Sequence, residues 1–351
     1  MTKPLAFAAR PAAPDAIAFG ARSVGPGAPV LLIAEVGMNH NGDLDLARDM
    51  IAAAGAAGVD AVKFQSFATD AFLAPSMPGR DERRAFEIPD AWYPVLQDAA
   101  QAAGVEFFST PLDAGSAATL ARHDVPFFKI ASCDLTNLPL IEQVAGYAKP
   151  MIVSTGFGAL GEIDAALETA ARAGNDRVVL MHCVSVYPTP VEVANLAAIQ
   201  TLRATFGVPV GLSDHSKDLP LIPALAAALG AVAIEKHFTT DRALPGYDHA
   251  MSETPAGLAQ LVADVRSVPQ ALGDGRIART EAELARRTTA RRGLYWAHDV
   301  AAGSTVAADM LVPLRPAEGL APARLEDLVG RRLTVDVEAG TACTEAQVDW
   351  T

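Results

Sequence analysis

One pattern constrains this chain more than any other. From Val30 onward, a short apolar, β-branched run, a polar loop and an Ala-rich amphipathic helix recur eight times. The runs are VLLIAEVG (30–37), DAVKFQSF (60–67), VEFFSTPL (105–112), PFFKIAS (126–132), PMIVSTG (150–156), RVVLMHCVS (177–185), PVGLSDH (209–215) and AVAIEKHF (231–238). Near-continuous apolar character within each run means burial on both faces, as parallel strands require. The intervening segments, such as DLDLARDMIAAAGAAG and LGEIDAALETAARAG, close at Gly58, Gly104, Gly174, Gly207 and Gly230, the residue type that best ends a helix. Eight βα units in roughly 240 residues match a closed (β/α)8 TIM barrel in count and length. An open doubly wound sheet is the alternative. It would use fewer strands and a GxGxxG first turn, whereas the first turn here reads EVGMNHNGD.

The repeat ends after Val265. The stretch ALGDGRIARTEAELARRTTARRG is charged and has no strand signal, so it reads as a linker. Short alternating pieces then follow, bounded by the turn sequences DVAAG and VEAG. The expected organisation is an N-terminal hairpin or cap (1–29), a catalytic barrel (30–274), a linker (275–292) and a small β-rich domain (293–351). A domain of about 60 residues is near the lower limit for a free-standing core, so it is expected to pack on the barrel or on a partner subunit.

Charge and cysteine content narrow the setting. A net charge of −13 argues against a nucleic-acid partner, which would call for a basic face. It does not exclude an anionic ligand, because a pocket can be basic inside an acidic protein. The three cysteines are too few and too scattered for a disulfide framework, which fits a reducing compartment. The N-terminal residues lack the apolar core of a signal sequence, and no window reaches the ~18 apolar residues of a membrane span. A cytoplasmic protein without membrane association is the expectation.

In a (β/α)8 barrel the reactive groups sit at the C-terminal ends of the strands. Polar residues gather there in all eight runs. Glu35, Asn39 and His40 follow the first; Lys63 and Gln65 are late in the second; Ser109 and Thr110 end the third. Lys129, Ser132 and Asp134 mark the fourth, Ser154 and Thr155 the fifth, and His182, Ser185 and Tyr187 the sixth. Ser213, Asp214 and His215 end the seventh, and Glu235, Lys236 and His237 the eighth, with Asp248 and His249 just beyond. One polar residue in a buried strand is commonly a satisfied core residue; the joint pattern is not.

Two lysines and many hydroxyls converging on one pocket suit an anion carrying a phosphate and a carboxylate. Lys63 and Lys129 lie between apolar neighbours, where an ammonium group is costly without a partner. His215 and His237 end adjacent strands, and paired imidazoles at a strand mouth suit a divalent metal with open coordination positions. His182 is either a third ligand or a hydrogen-bond donor behind the pair. Cys133 and Cys183 read as small buried fillers.

The strings IAEVGMNHNGD, VKFQSF, STPLD, FKIASCDLTNLPLI, IVSTG, MHCVSVYPTP, GLSDHS, EKHFT and PGYDH resemble, in collinear order, the sialic acid (nonulosonate) synthase family. RRGLYWAHDVAAG, RPAEGL and LVGRRLTVDVEAGT resemble the antifreeze-like (SAF) domain that follows the barrel in that family. The resemblance implies condensation of phosphoenolpyruvate with an N-acyl mannosamine-type aldehyde sugar, with release of phosphate. It implies Mn²⁺ or Mg²⁺ on His215 and His237, and phosphoenolpyruvate on Lys63, Lys129, Thr110, Ser132, Ser154, Ser185 and Ser213. It implies the sugar on Gln65, Asp134, Tyr187 and Asp248, with Glu35 orienting hydroxyls or transferring a proton. Arg315 resembles an arginine that reaches the neighbouring subunit's site, which implies a domain-swapped homodimer.

The chain also departs from the family. Asp134 stands where many members have Glu, Tyr247 replaces the more usual Pro, and Ser185 stands where some members have Asn. These positions bear on which sugar is accepted more than on the reaction. Two other functions compete: a Schiff-base aldolase or lyase using Lys129, and a carbohydrate-binding protein with an inert barrel. The second would predict erosion of the strand-end residues, and Lys63, Lys129, His215 and His237 are all present.

Overall fold

The structure, a computed structural model, describes residues 16–351. The chain divides into two compact units at Gly273–Asp274.

The first unit opens with an antiparallel hairpin of β1 (Ile17–Phe19) and β2 (Arg22–Val24). Eight parallel strands follow: β3 (Leu31–Gly37), β4 (Ala61–Ser66), β5 (Glu106–Pro111), β6 (Phe128–Ile130), β7 (Met151–Ser154), β8 (Val178–Cys183), β9 (Val210–Asp214) and β10 (Ala233–His237). They close into a barrel in sequence order, with β10 pairing back onto β3 through Ala233↔Leu31 to His237↔Glu35. This is the (β/α)8 architecture expected from the repeat; the doubly wound alternative, an open sheet, is excluded by that closing pair.

The helices of this unit are α1 (Leu44–Ala56), the short α2 (Thr69–Phe72) and α3 (Arg80–Arg83), α4 (Trp92–Ala103), α5 (Ala114–Arg122), α6 (Leu138–Gly146), α7 (Leu160–Arg172), α8 (Ala198–Phe206), α9 (Leu221–Ala228) and α10 (Pro255–Leu272). Small residues let them lie close to their neighbours. A Cβ on Gly55 of α1 would stand 2.7 Å from the Ala103 carbonyl oxygen at the end of α4.

Strand alternation explains where the chemistry sits. Side chains of successive strand residues point to opposite faces. Leu32, Ala34 and Val36 of β3, Val62 and Phe64 of β4 and Ile234 of β10 pack outward against the helix layer. Leu31, Ile33, Ala61, Phe108, Phe127, Ile152, Val179, Met181 and Ala233 pack inward, where Ile17, Phe19 and Val24 of the hairpin join them. Phe19 meets Phe127 edge-on at 4.9 Å. Continuing the inward series by two residues per step reaches Glu35, Lys63, Thr110, Lys129, Ser154, Ser213 and Glu235. On seven of the eight strands the inward face therefore ends in a polar residue at the mouth, while β8 ends in Cys183.

The second unit contains α11 (Glu281–Ala290), an antiparallel pair of β11 (Gly293–Trp296) and β12 (Leu311–Leu314), and the short helix α12 (Leu325–Leu328). Isolated bridges such as Val300↔Val337 and Leu333↔Val348 extend the β character. Its core gathers Leu294, Trp296, Val306, Leu328, Leu333 and Cys343.

The stretch 275–292, read above as a linker, carries α11 and groups with the second unit. A capping box forms it: Thr280 Oγ1 accepts from Glu283 N at 3.2 Å, while Glu283 Oε2 accepts from Thr280 N at 2.8 Å. The T-x-x-E string at 280–283 is the local signature of this start. The expected cap at 1–29 is described only from residue 16, where β1 and β2 form a hairpin; residues 1–15 lie outside the described residues. Among the described residues, no helix is long and apolar enough to cross a membrane.

Candidate active site at the barrel mouth

The inward series assembles a charged cluster in a buried setting. Lys63 Nζ lies 2.8 Å from Glu35 Oε2 and 3.6 Å from Glu235 Oε1, and donates to Thr110 Oγ1 at 3.1 Å. Lys129 Nζ lies 3.5 Å from the same Glu235 oxygen, which also accepts from Ser213 Oγ at 3.1 Å. Gln65 Nε2 donates to Glu35 Oε1 at 3.0 Å. Glu35, Lys63, Thr110, Lys129, Ser213 and Glu235 are all buried.

Burial and charge set the protonation of this cluster. Glu235 is driven down to about 2: burial opposes ionisation, but Lys129 and Lys63 outweigh it. Glu35 moves up, because burial outweighs the help of Lys63 and the Glu235 charge adds to it. Burial lowers Lys129, partly offset by Glu235, whereas Lys63 is raised because the Glu235 and Glu35 carboxylates overcome its burial. The two carboxylates are thus pushed apart, Glu235 downward between two lysines and Glu35 upward by its burial and by the Glu235 charge.

Beside the lysines lies a cradle of hydroxyls and backbone. Gly156 N donates to Ser132 Oγ at 3.1 Å. A Cβ on Gly156 would fall 2.2 Å from Ser185 Oγ and 2.6 Å from Ser132 Oγ, so only glycine leaves room for both. Cys183 Sγ sits between Ser132 Oγ at 3.5 Å and Ser185 Oγ at 3.7 Å. Ser154 Oγ is buried without a hydrogen-bond partner. Orphaned buried polar atoms are costly, and strand alternation turns this one to the inward face that Lys129 and Ser213 share.

His215 and His237 follow on the adjacent strands β9 and β10, their ring centroids 5.2 Å apart. Tyr187 packs against His215 with the rings tilted by 51° at 4.1 Å, and meets His237 edge-on at 6.1 Å. His215 is neutral, its pKa held well below the ordinary value by burial and by the nearby His237. His237 Nδ1 is buried without a hydrogen bond, with Asp248 Oδ2 at 3.6 Å. A neutral imidazole and an unpartnered ring nitrogen fit a divalent cation. No cluster of three or more His, Cys, Asp or Glu side chains suited to a metal exists among the described residues, so two imidazoles would leave positions for other ligands.

The structure separates residues that the sequence had grouped. His182 points outward from β8, where Nε2 bonds the Ala194 carbonyl oxygen at 2.8 Å, and does not join the imidazole pair. Ser109 bonds Ser66 Oγ at 2.7 Å and Thr155 donates to the Met181 carbonyl at 3.1 Å, both away from the cluster. Asp134 is buried in a 3-10 turn, Ser132–Asp134, where Asn137 Nδ2 donates to it at 3.0 Å. Cys133, expected to be a buried filler, is exposed in that same turn, which breaks the strand after Ile130. Arg315 is exposed in the second unit, directly after β12. Two members of the site were absent from the sequence-derived set: Glu235, which was seen at a strand end but given no role, and Gly156. For Glu235 the signal was available, since it stands two residues before His237 on the same strand.

The chain matches the NeuB family model over residues 50–277 and the SAF domain model over residues 291–349. It is 37% identical over 340 residues to the N,N'-diacetyllegionaminic acid synthase of Legionella pneumophila, covering 92% of this chain and 95% of the relative. It is 32% identical over 343 residues to the N-acetylneuraminate-9-phosphate synthase of Mus musculus, covering 93% of this chain and 95% of that one. A solved structure of the N-acetylneuraminic acid (sialic acid) synthetase of Leptospira borgpetersenii, in complex with citrate, superposes with a TM-score of 0.72 at 36% identity, covering 77% of this chain and 94% of that one.

Proposed function

Because this chain belongs to the NeuB family, we propose that it is a nonulosonic acid synthase, an enzyme that condenses phosphoenolpyruvate with an N-acyl mannosamine-type sugar and releases inorganic phosphate. The observation that carries the reading is the approach of Lys63 and Lys129 to one oxygen of Glu235, at 3.6 and 3.5 Å. Two buried ammonium groups held this close form a seat for a multiply charged anion.

In this reading phosphoenolpyruvate is held by Lys63, Lys129, Thr110, Ser132, Ser154, Ser185 and Ser213, with the Gly156 backbone N–H beside them. The sugar is held by Gln65, Asp134, Tyr187 and Asp248. C3 of the enol phosphate forms a bond to the aldehyde carbon, and water adds at C2. The tetrahedral centre then collapses with cleavage of its C–O bond to phosphate, giving the 2-keto acid. Glu35 holds a proton at its carboxyl, supported by its raised pKa and by its contact with Gln65 on the sugar side. Glu235 keeps the lysine pair charged and aligned before the substrate arrives.

His215 and His237 would hold Mn²⁺ or Mg²⁺, which when bound supplies Lewis-acid polarisation of the sugar aldehyde. Arg315 would reach the sugar in a partner subunit's site, making a domain-swapped homodimer. The exposure of Arg315 is compatible with that role. A cytoplasmic setting is supported by three cysteines that are all free.

A Schiff-base aldolase using Lys129 is the one rival with an observation behind it, since burial lowers the affinity of that lysine for its proton. One assay separates the two. Phosphate release from phosphoenolpyruvate is followed with N-acetylmannosamine and 2,4-diacetamido-2,4,6-trideoxy hexoses as acceptors, with and without EDTA. The synthase releases phosphate only with acceptor and stops with EDTA. Chelator-resistant activity and borohydride trapping on Lys129 would mark the aldolase.

A further inference from the structure

We infer that Lys236, with Asp214 and Ser216, is a positioning device that aims His215 and His237 into the barrel mouth; this rests on the reading of those imidazoles as a metal pair.

The geometry begins with register. β9 and β10 pair Ser213 with Glu235 and Asp214 with Lys236. Ser213 and Glu235 face inward and bond each other. Alternation therefore sends Asp214 and Lys236 outward toward the helix layer, and returns His215 and His237 to the mouth. An ion pair stands where the same two strands, two residues earlier, place Leu212 and Ile234 against the helix layer.

That pair is closed on itself. Lys236 Nζ lies 2.7 Å from Asp214 Oδ2, with both side chains buried. The ammonium group also bonds the Ser216 carbonyl oxygen and, at 3.3 Å, the Ser216 hydroxyl. Asp214 Oδ1 accepts from Ser216 N at 2.9 Å, and its Oδ2 accepts from Ser216 Oγ at 3.0 Å. Lys236 thus has its charge matched and its donors engaged, and none of these bonds is directed at a ligand. What the bracket encloses is His215, the residue between Asp214 and Ser216. The His215 carbonyl is pinned as well, by Thr189 N at 2.9 Å. Lys236 is also the residue that precedes His237, so one ammonium group joins the backbone supports of both imidazoles.

A buried ion pair is weak evidence for stability, because apolar residues of similar size often serve the fold as well or better. Groups behind metal ligands commonly act by fixing ligand orientation. The position of this pair, one residue from each histidine on two adjacent strands, matches the second use.

Calorimetric titration of the full-length protein with Mn²⁺ alone tests this. Wild type, His215→Ala and His237→Ala set the reference: a Mn²⁺ site present in the first and lost in both variants belongs to the imidazole pair. The double variant Asp214→Leu/Lys236→Met removes both charges together, so no orphan ion is left to unfold the barrel. Its Mn²⁺ dissociation constant is expected to rise about 10–100-fold, with an unchanged circular dichroism spectrum. Ser216→Ala is expected to move the constant the same way by less, and serves alone if the double variant fails to fold. Wild-type affinity in a folded double variant, or in Ser216→Ala if that alone is folded, overturns the positioning role while leaving the metal pair standing. Absence of any Mn²⁺ site in wild type overturns both.

Discussion

Lys129 Nζ stands 3.5 Å from Oε1 of Glu235, deep in the barrel mouth, so the lysine meets an internal carboxylate before it meets any substrate. The same oxygen faces Lys63 at 3.6 Å. Removing it leaves two buried ammonium groups with less compensation. Glu235→Gln should therefore destabilise the protein by about 3 kcal/mol, the order expected when one partner of a buried pair is lost. Inorganic phosphate, able to replace the missing charge, should restore part of that loss. Urea unfolding with and without phosphate measures both effects; an unchanged midpoint in the variant would count against the lysine pair as an anion seat.

The Gly156 backbone is expected to matter for phosphoenolpyruvate alone. In Gly156→Ala the added methyl meets Ser185 Oγ at 2.2 Å and Ser132 Oγ at 2.6 Å, forcing both hydroxyls to turn away. A rise of about tenfold in KM for phosphoenolpyruvate is expected, equivalent to ~1.4 kcal/mol. KM for the sugar should change little. Steady-state kinetics with each substrate varied in turn makes the comparison, and equal rises in both constants would refute a cradle specific to the enol phosphate.

Loss of either histidine should stop the reaction. His215→Ala and His237→Ala are each expected to reduce phosphate release by at least 10³-fold without unfolding the barrel, an order set by the several kcal/mol that Lewis-acid stabilisation supplies. EDTA on wild type should give the same loss, reversed by Mn²⁺. Near-normal turnover in either variant would remove the metal assignment.

His40 should impose a pH slope on stability. It is buried, and burial lowers its pKa to about 4 from an ordinary 6.5. Between those values the unfolded chain binds a proton that the folded chain does not. The folded state is therefore favoured above pH 6.5 and loses that advantage as pH falls toward 4, by up to roughly 3 kcal/mol. His40→Asn retains an acceptor for Gly42 N, which bonds His40 Nδ1 at 3.1 Å, but does not titrate. Urea midpoints measured from pH 7 to 4 should fall less steeply in the variant than in wild type. Parallel profiles would contradict this assignment.

Arg315→Ala should weaken sugar binding with little effect on stability, because the side chain is exposed. A lost charge-assisted hydrogen bond of about 1.5–3 kcal/mol corresponds to a KM for the sugar roughly 10–100-fold higher. Sedimentation should meanwhile report a dimer. A monomer with full activity would remove the swapped-subunit reading.

Much of the site was legible because barrels sort chemistry by strand position. Lys63 and Lys129 stood out as lysines among apolar neighbours, and His215 and His237 as imidazoles on consecutive strands. Facing was harder to see. His182 ends a strand like the other two histidines, but its parity is opposite: it falls between inward-facing Met181 and Cys183 and turns to the Ala194 carbonyl. Lys236 and Asp214 look like further mouth residues for the same reason, until register shows that they pair behind it. The helix α11 was missed because a charged exposed segment gives no apolar stripe, although its capping box was in plain view.

By itself the sequence determined the eightfold alternation, hence the barrel, and the residue types at each strand end, hence the lysines, hydroxyls and imidazoles available to the mouth. These are local properties: periodicity, caps and composition within one run of residues. Only the tertiary structure pushes the two carboxylates in opposite directions, since Glu235 lies between two lysines brought in by other strands and Glu35 contacts one. It also decided which strand-end residues face the mouth. That choice depends on closing β10 against β3 and on the two-residue period carried around the ring, which no single run contains.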